Sequence, residues 1–451
     1  MRACLRGKRV VAVWLCVGAL GCARAPIILE SPAEEVEEAA EEEAPMEAEA
    51  AEPVASLEAL SVPPRASNFL VLAGGGERAQ NEIALEKNVR YFQRTLLEFG
   101  LAPASATVYF ANGNDGQATV RYLDEGARER FKAPEIPHLQ GPATLERFLD
   151  WVEQSARRAP QQPVFIYVTG HGGLNRRNAN NNHLALWDGD TLTVRAFGLF
   201  LGRLPSTTPV VTMMSQCYAG SFANFIHQDG NPTRPVVSQP RCGFFATVKS
   251  QPSVGCTPEV DEADYRDYSS SFFAGLSGIS RTGLVVRSAD YDQDGRVSYA
   301  EAHAFAKVDE ETPDLPISTS EAWLQRRASS KDRRRVLTTP MAEVLRTGRP
   351  EQRHVVESLA RKLGFVASLS WGENLATARL DTEVQEAQAE RLRMELLNIT
   401  LEEKLRASQA SQALAVLERL LRCEGGSWEV APGTMTPATV DSVRQALPVR
   451  P

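Results

Sequence analysis

The 451-residue chain has little of what marks a nucleic-acid binder. Lys and Arg number 49 against 57 Asp and Glu, a net charge of −8, and even that imbalance is local. Residues 30–52 hold eleven Glu and no basic residue, while residues 1–29 hold five basic residues and no acidic one. From residue 53 onward 44 basic residues face 46 acidic ones, so the body is nearly neutral and offers no basic field to nucleic acid. A membrane-spanning run is also missing at the N-terminus: the apolar stretch Val10–Leu20 is too short to cross a bilayer. Cysteine is sparse, and past residue 22 only Cys217, Cys242, Cys256 and Cys423 remain.

What the N-terminus does hold is a targeting pattern. Arg2, Arg6, Lys8 and Arg9 precede the apolar run, which ends in Ala19-Leu20-Gly21-Cys22. A small residue before Cys resembles the bacterial lipoprotein box, in which that Cys, here Cys22, becomes the lipidated first residue. The other reading is an ordinary secretory cut nearby, and either one takes the protein out of the cytosol. Residues 1–21 are then a signal peptide and 22–66 an acidic tether of Glu, Ala and Pro, extended by self-repulsion or a solvated helix.

From residue 67 the pattern alternates strand and helix. Phe69–Ala73, Ala106–Ala111, Val164–Thr169, Val210–Ser215 and Phe244–Val248 read as short buried strands. Helical spacing runs through 81–99, 145–156, 194–201 and onward from about Ser221, with a surface excursion at 112–142. This order predicts an α/β fold: an open, mainly parallel sheet with helices on both faces. His171 directly follows one strand and Cys217 another. Adjacent parallel strands end at one sheet edge, so a thiol and an imidazole meet there as a nucleophile and its proton shuttle. Gly172 lets the backbone approach closely, and its neighbourhood with the Cys217 amide is the expected oxyanion hole.

The motifs FLVLAGGG, VFIYVTGHGG, MMSQCYAGS, GFFATVKS and DYRDYSSSFF, in this order, resemble those of the caspase-like (clan CD) cysteine peptidases, closest to the legumain branch. The resemblance spans about residues 67–280 and implies a caspase-like fold, a His171–Cys217 dyad and a thioester acyl-enzyme formed on a peptide or protein substrate. It further implies a pocket for the residue before the cut, where Arg78, Glu82, Ser215 and Asp267 fall. Glu82 stands where the family has Arg, so two carboxylates favouring a basic side chain compete with an Arg78 pocket for Asn or Asp. Legumain relatives also pass the acyl group to amines, so a transpeptidase is a second reading, and a non-catalytic interaction lipoprotein a third.

A separate motif, Asp290-Tyr-Asp292-Gln-Asp294-Gly295-Arg296-Val-Ser298-Tyr-Ala-Glu301, matches the twelve-residue EF-hand loop. Carboxylates stand at positions 1, 3, 5 and 12, glycine at 6, the Arg296 carbonyl at 7 and Ser298 at 9. The expectation is one structural Ca2+, entered from a strand at Leu284–Arg287. Residues 67–310, calcium loop included, form the expected peptidase domain and 311–451 a helical region. In that region 382–399 and 401–422 read as a helical hairpin broken at Asn398–Thr400. Arg326-Arg327 and Arg333-Arg334-Arg335 read as an exposed, solvated basic linker or, for an Arg-preferring enzyme, as a site of self-cleavage. Cys242 and Cys256 are either a disulfide or two free thiols.

Overall fold

The computed structural model describes residues 67–158, 162–408 and 410–428. The signal peptide, Cys22 and the acidic tether lie outside the described residues. Among the described residues the strands are β1 (Asn68–Gly74), β2 (Ala106–Phe110), β3 (Val120–Leu123), β4 (Glu129–Lys132), β5 (Leu139–Gly141), β6 (Val164–Gly170), β7 (Gly172–Gly173), β8 (His183–Ala185), β9 (Thr191–Thr193), β10 (Val210–Met214), β11 (Arg241–Phe245) and β12 (Ile317–Ser318). The helices are α1 (Ile83–Glu98), α2 (Leu145–Arg157), α3 (Val194–Leu201), α4 (Tyr268–Ser277), α5 (Tyr299–Asp309), α6 (Thr319–Gln325), α7 (Ser330–Thr338), α8 (Met341–Val344), α9 (Pro350–Leu363), α10 (Trp371–Thr377), α11 (Glu383–Ala407) and α12 (Ser411–Glu424).

Seven strands make one sheet in the order β12-β11-β10-β6-β1-β2-β5, parallel except for β12. The α/β expectation holds, and its cause is visible along each central strand. Leu70, Leu72, Ile166, Val168 and Met214 enter one apolar cluster, while Phe69, Val71, Phe165, Tyr167 and Met213 enter the other. Alternate side chains therefore face opposite layers, and both layers are covered, as a parallel sheet requires. One cluster takes Trp151 of α2, Phe197 of α3, Leu359 of α9 and Leu392 of α11. The other takes Val89 and Phe92 of α1, Phe273 of α4 and Tyr299 of α5.

Residues beyond 310 complete this core, so the expected boundary falls inside it. β12 pairs Phe245 with Ile317. Trp428 sets its ring edge-to-face against Phe69, Phe92, Phe99 and Phe165 at 5.0–5.5 Å. Such pairs contribute about 0.5–1.5 kcal/mol each beyond area burial. Lys307 of α5 bonds Glu321 of α6 and, at 2.6 Å, Glu395 of α11. A disulfide joins Cys242 on β11 to Cys423 on α12, 181 residues apart, which removes the Cys242–Cys256 pairing.

Other expectations change locally. Residues 112–142 are not a bare excursion: β3 and β4 form a hairpin and β5 joins the sheet edge beside β2. The run after Cys217 is a 3-10 helix, Ala219–Ile226. α11 passes unbroken through Asn398–Thr400, because Asn398 accepts from Gln325 at 2.8 Å and Thr400 bonds back to the Leu396 carbonyl at 2.8 Å. No strand forms at Leu284–Arg287; Leu284 and Val285 are 68 % and 82 % exposed, with one bridge from Ile279 to Val285. The basic residues are exposed as expected, but not on a linker: Arg326 and Arg327 lie in the turn after α6, and Arg333, Arg334 and Arg335 lie within α7. A cut there leaves the C-terminal helices joined to β11 by the disulfide, so cleavage alone does not release them.

Candidate active site

β6 and β10 are neighbours in register Val164↔Val210 to Val168↔Met214, so His171 and Cys217 follow the ends of adjacent strands. Between them the backbones touch. A Cβ on Gly172 would lie 2.1 Å from the Cys217 carbonyl oxygen, so only glycine fits β7 against the cysteine turn. Tyr218, directly after Cys217, sits in the left-handed region at φ 59°. That conformation is uncommon for a bulky residue and turns the chain sharply off the strand. The turn is held by Tyr218 N–H to the Gln251 carbonyl (2.9 Å) and Gly220 N–H to the Thr247 carbonyl (2.8 Å).

His171 is fixed from one side. Its Nε2 lies 2.9 Å from the Gln80 carbonyl and 3.0 Å from Glu82 Oε2. Both partners are acceptors, so this network assigns a proton to Nε2. Glu82 is buried and its other oxygen takes Arg121 Nη2 at 2.6 Å. Burial raises the Glu82 carboxyl, but His171 and Arg121 outweigh it and hold the group below its usual range. For His171 burial works against the charged ring, yet Cys256 and Glu82 beside it prevail and raise it to about 11.

Cys256 is the residue that the sequence reading did not place here. Its sulfur, the His171 ring and the Glu82 carboxylate bring their ligand atoms within 4.8 Å of one another. The Cys217 sulfur lies 3.3 Å from the Ser253 amide and 3.4 Å from the Ser253 carbonyl. Ser253 Oγ in turn donates to the buried Asp314 carboxylate, which also accepts Val254 N–H at 3.1 Å. Asp314 and Ser253 carry no motif, and only the packing of the 310–316 segment onto this loop reveals them.

The expected pocket residues separate. Asp267 is buried as the N-cap of α4, accepting from Ser270 N–H at 2.7 Å and Asn88 at 3.2 Å, with Arg281 Nη1 3.7 Å away. Glu82 and Asp267 thus each hold a cation of this chain, and the case for a free acidic pair taking a basic side chain lapses. Arg78 is exposed, stacked 3.8 Å over the Phe131 ring and bonded to the Ala118 carbonyl. The Ser215 hydroxyl donates to the Val168 carbonyl at 3.1 Å and so ties β10 to β6.

In the acidic loop, Asp290, Asp292 and Asp294 converge with oxygens within 4.8 Å. Asp290 accepts the Asp294 and Gly295 amides at 3.1 Å, and Gly295 stands at φ 90°, where glycine is favoured. Arg296 lies next in the loop, its amide bonding Asp294 at 3.0 Å. Ser298 caps α5, and Glu301 bonds the Tyr291 amide at 2.7 Å and the Ser298 amide at 2.9 Å. These hard oxygens on a closed turn fit a calcium ion, with Glu301 already folded onto the loop.

No protein-family model and no curated protein matches the chain. Among solved structures, a structural-genomics target from Geobacter sulfurreducens aligns at 12 % identity with a TM-score of 0.34, covering 56 % of this chain and 92 % of its own. A secreted C11 cysteine protease from Bacteroides thetaiotaomicron, iotapain, aligns at 13 % identity with a TM-score of 0.28, covering 73 % and 85 %. At this distance the likeness identifies no site.

Proposed function

We propose that the chain is a caspase-like cysteine endopeptidase, with Cys217 as nucleophile and His171 as proton shuttle. The observation that carries this reading is the seating of the two residues past adjacent strand ends, with Gly172 backbone against the cysteine turn. Cys217 reacts as a thiolate paired with the protonated His171 ring, and the thiolate attacks the scissile carbonyl. Backbone N–H groups at Gly172 and Cys217 receive the oxyanion. His171 gives its proton to the departing amine, leaving a thioester that water hydrolyses. Glu82, held by Arg121, keeps the imidazole oriented through this exchange. Export, with a lipid anchor at Cys22, agrees with the Cys242–Cys423 disulfide, because such bonds persist in oxidising compartments.

The deciding experiment is covalent labelling with a peptidyl acyloxymethyl ketone, followed by peptide mapping. One adduct on Cys217, absent in Cys217→Ala, is the expected result. An adduct on Cys256 in the wild type would move the nucleophile.

The loop 290–301 is proposed to hold one Ca2+ through Asp290, Asp292, Asp294, the Arg296 carbonyl, Ser298 and Glu301. Bound to the native state alone, the ion stabilises by mass action, about 2.7 kcal/mol at a hundredfold excess over Kd. Chelation, or Asp290→Ala, is expected to lower Tm by several degrees in a thermal scan. A Tm indifferent to chelator would remove calcium from the loop.

A further inference from the structure

Three unlike donors meet beside the crevice: a carboxylate, an imidazole and a thiol. Glu82 comes from the residue before α1, His171 from the end of β6 and Cys256 from the loop after β11, with ligand atoms within 4.8 Å of one another. None of the three is loosely placed. Arg121 holds Glu82 Oε1, so Oε2 is the oxygen turned to His171, and the Gln80 carbonyl fixes the ring. The Cys256 loop is pinned on both sides. Val254 N–H bonds Asp314, the Thr257 carbonyl accepts Ala84 N–H at 3.3 Å, and the Pro258 carbonyl accepts Leu123 N–H at 2.9 Å. Gly255, just before the cysteine, stands at φ 118°, and a Cβ there would lie 2.7 Å from Asp267 Cβ. The thiol is delivered to the histidine by a backbone path that other residues do not follow.

Three protein ligands with a fourth position open are the usual donor count of an accessible zinc site. Metal–ligand lengths of about 2.0–2.3 Å separate ligands on a common ion by roughly 3.3–3.8 Å, so a pair at the 4.8 Å bound would close by at most roughly 1–1.5 Å. Thiolate and imidazole favour zinc over calcium or magnesium, so this cluster and the 290–301 loop select different ions. We propose that Glu82, His171 and Cys256 bind one Zn2+-class cation, and that the bound ion withdraws the imidazole from proton transfer. On binding, the thiol and imidazole protons leave to solvent. The binding itself does not depend on Cys217 being the nucleophile; only its inhibitory consequence rests on that reading.

The test uses the mature chain with its disulfide intact and calcium present, titrated with Co2+ as a spectroscopic zinc analogue. One equivalent is expected to bring a thiolate-to-cobalt charge-transfer band in the near ultraviolet, displaced by Zn2+. The band should persist in Cys217→Ala and vanish in Cys256→Ser. In the wild type, Zn2+ should slow alkylation of Cys256 by iodoacetamide at least tenfold, a readout that needs no variant to fold. No thiolate band, or a band lost with Cys217 and kept without Cys256, overturns the site. An intact band in the inactive Cys217→Ala chain separates the fate of this proposal from that of the peptidase reading. Wild-type peptide hydrolysis should cease at one bound equivalent.

Discussion

Cys217→Ala is expected to lower kcat/KM for peptide hydrolysis by about 10⁴-fold or more, and His171→Ala by about 10²–10⁴-fold. Removing the thiol removes the covalent route altogether. Removing the imidazole leaves a thiol poorly ionised at neutral pH and a leaving amine without its proton. Because thiol and imidazole act as one unit, the double variant should be little worse than Cys217→Ala alone. The measurement is steady-state cleavage of a fluorogenic peptide library with calcium present, with circular dichroism confirming the fold. Near-wild-type activity in either single variant would sink the dyad. Cys256→Ala, placed in the same assay, discriminates the two thiols: if it is the dead variant and Cys217→Ala is active, the nucleophile is Cys256.

The strands carrying this site were legible because they are central. Val164–Thr169 and Val210–Ser215 are largely apolar runs rich in β-branched residues, as burial on both faces demands, and each ends at a polar turn. Neighbouring strand ends then bring His171 and Cys217 to one edge by geometry alone. Short edge strands were not legible. β5 and β12 are three and two residues long and take their state from the strand beside them. The sequence left Cys256 open between a disulfide with Cys242 and a free thiol; the structure leaves it free and joins Cys242 to Cys423 across 181 residues, a pairing that sequence distance does not suggest. Asn398–Thr400 looked like a helix break by propensity, but both side chains are buried, Asn398 Oδ1 accepting from Gln325 of α6 and Thr400 donating back to the Leu396 carbonyl. In the pocket, the sequence supplied charges without partners. Glu82 and Asp267 read as an acidic pair until Arg121 and Arg281 were seen to hold them.

Arg391 is expected to be the most consequential residue outside the crevice. It lies fully buried on α11 and gathers the 307–314 segment around one guanidinium. Nε donates to the Asp314 carbonyl at 2.8 Å, Nη1 to the Glu310 carbonyl at 2.7 Å and the Lys307 carbonyl at 3.1 Å, and Nη2 to the Thr312 carbonyl at 2.8 Å. That segment presents Asp314 to Ser253 and Val254, and Ser253 lies against the Cys217 sulfur. A C-terminal helix is thereby coupled to the loop behind the thiol through buried bonds. Arg391→Met retains the volume but strands four carbonyls and the nearby Glu310 carboxylate, so stability should fall by about 3–5 kcal/mol. Arg391→Lys should recover only part, because an ammonium cannot span carbonyls that a planar fork reaches. Urea unfolding measures the loss as a lower midpoint at unchanged slope. Below the midpoint, where the variant is still folded, kcat should drop about tenfold to a hundredfold with KM little altered, since a displaced thiol loses its attack geometry while the crevice remains. If stability fell but the Cys217 alkylation rate and kcat stayed at wild-type values, the helical region would be a passive cover, and the link from Arg391 through Asp314 to the cysteine would carry no function.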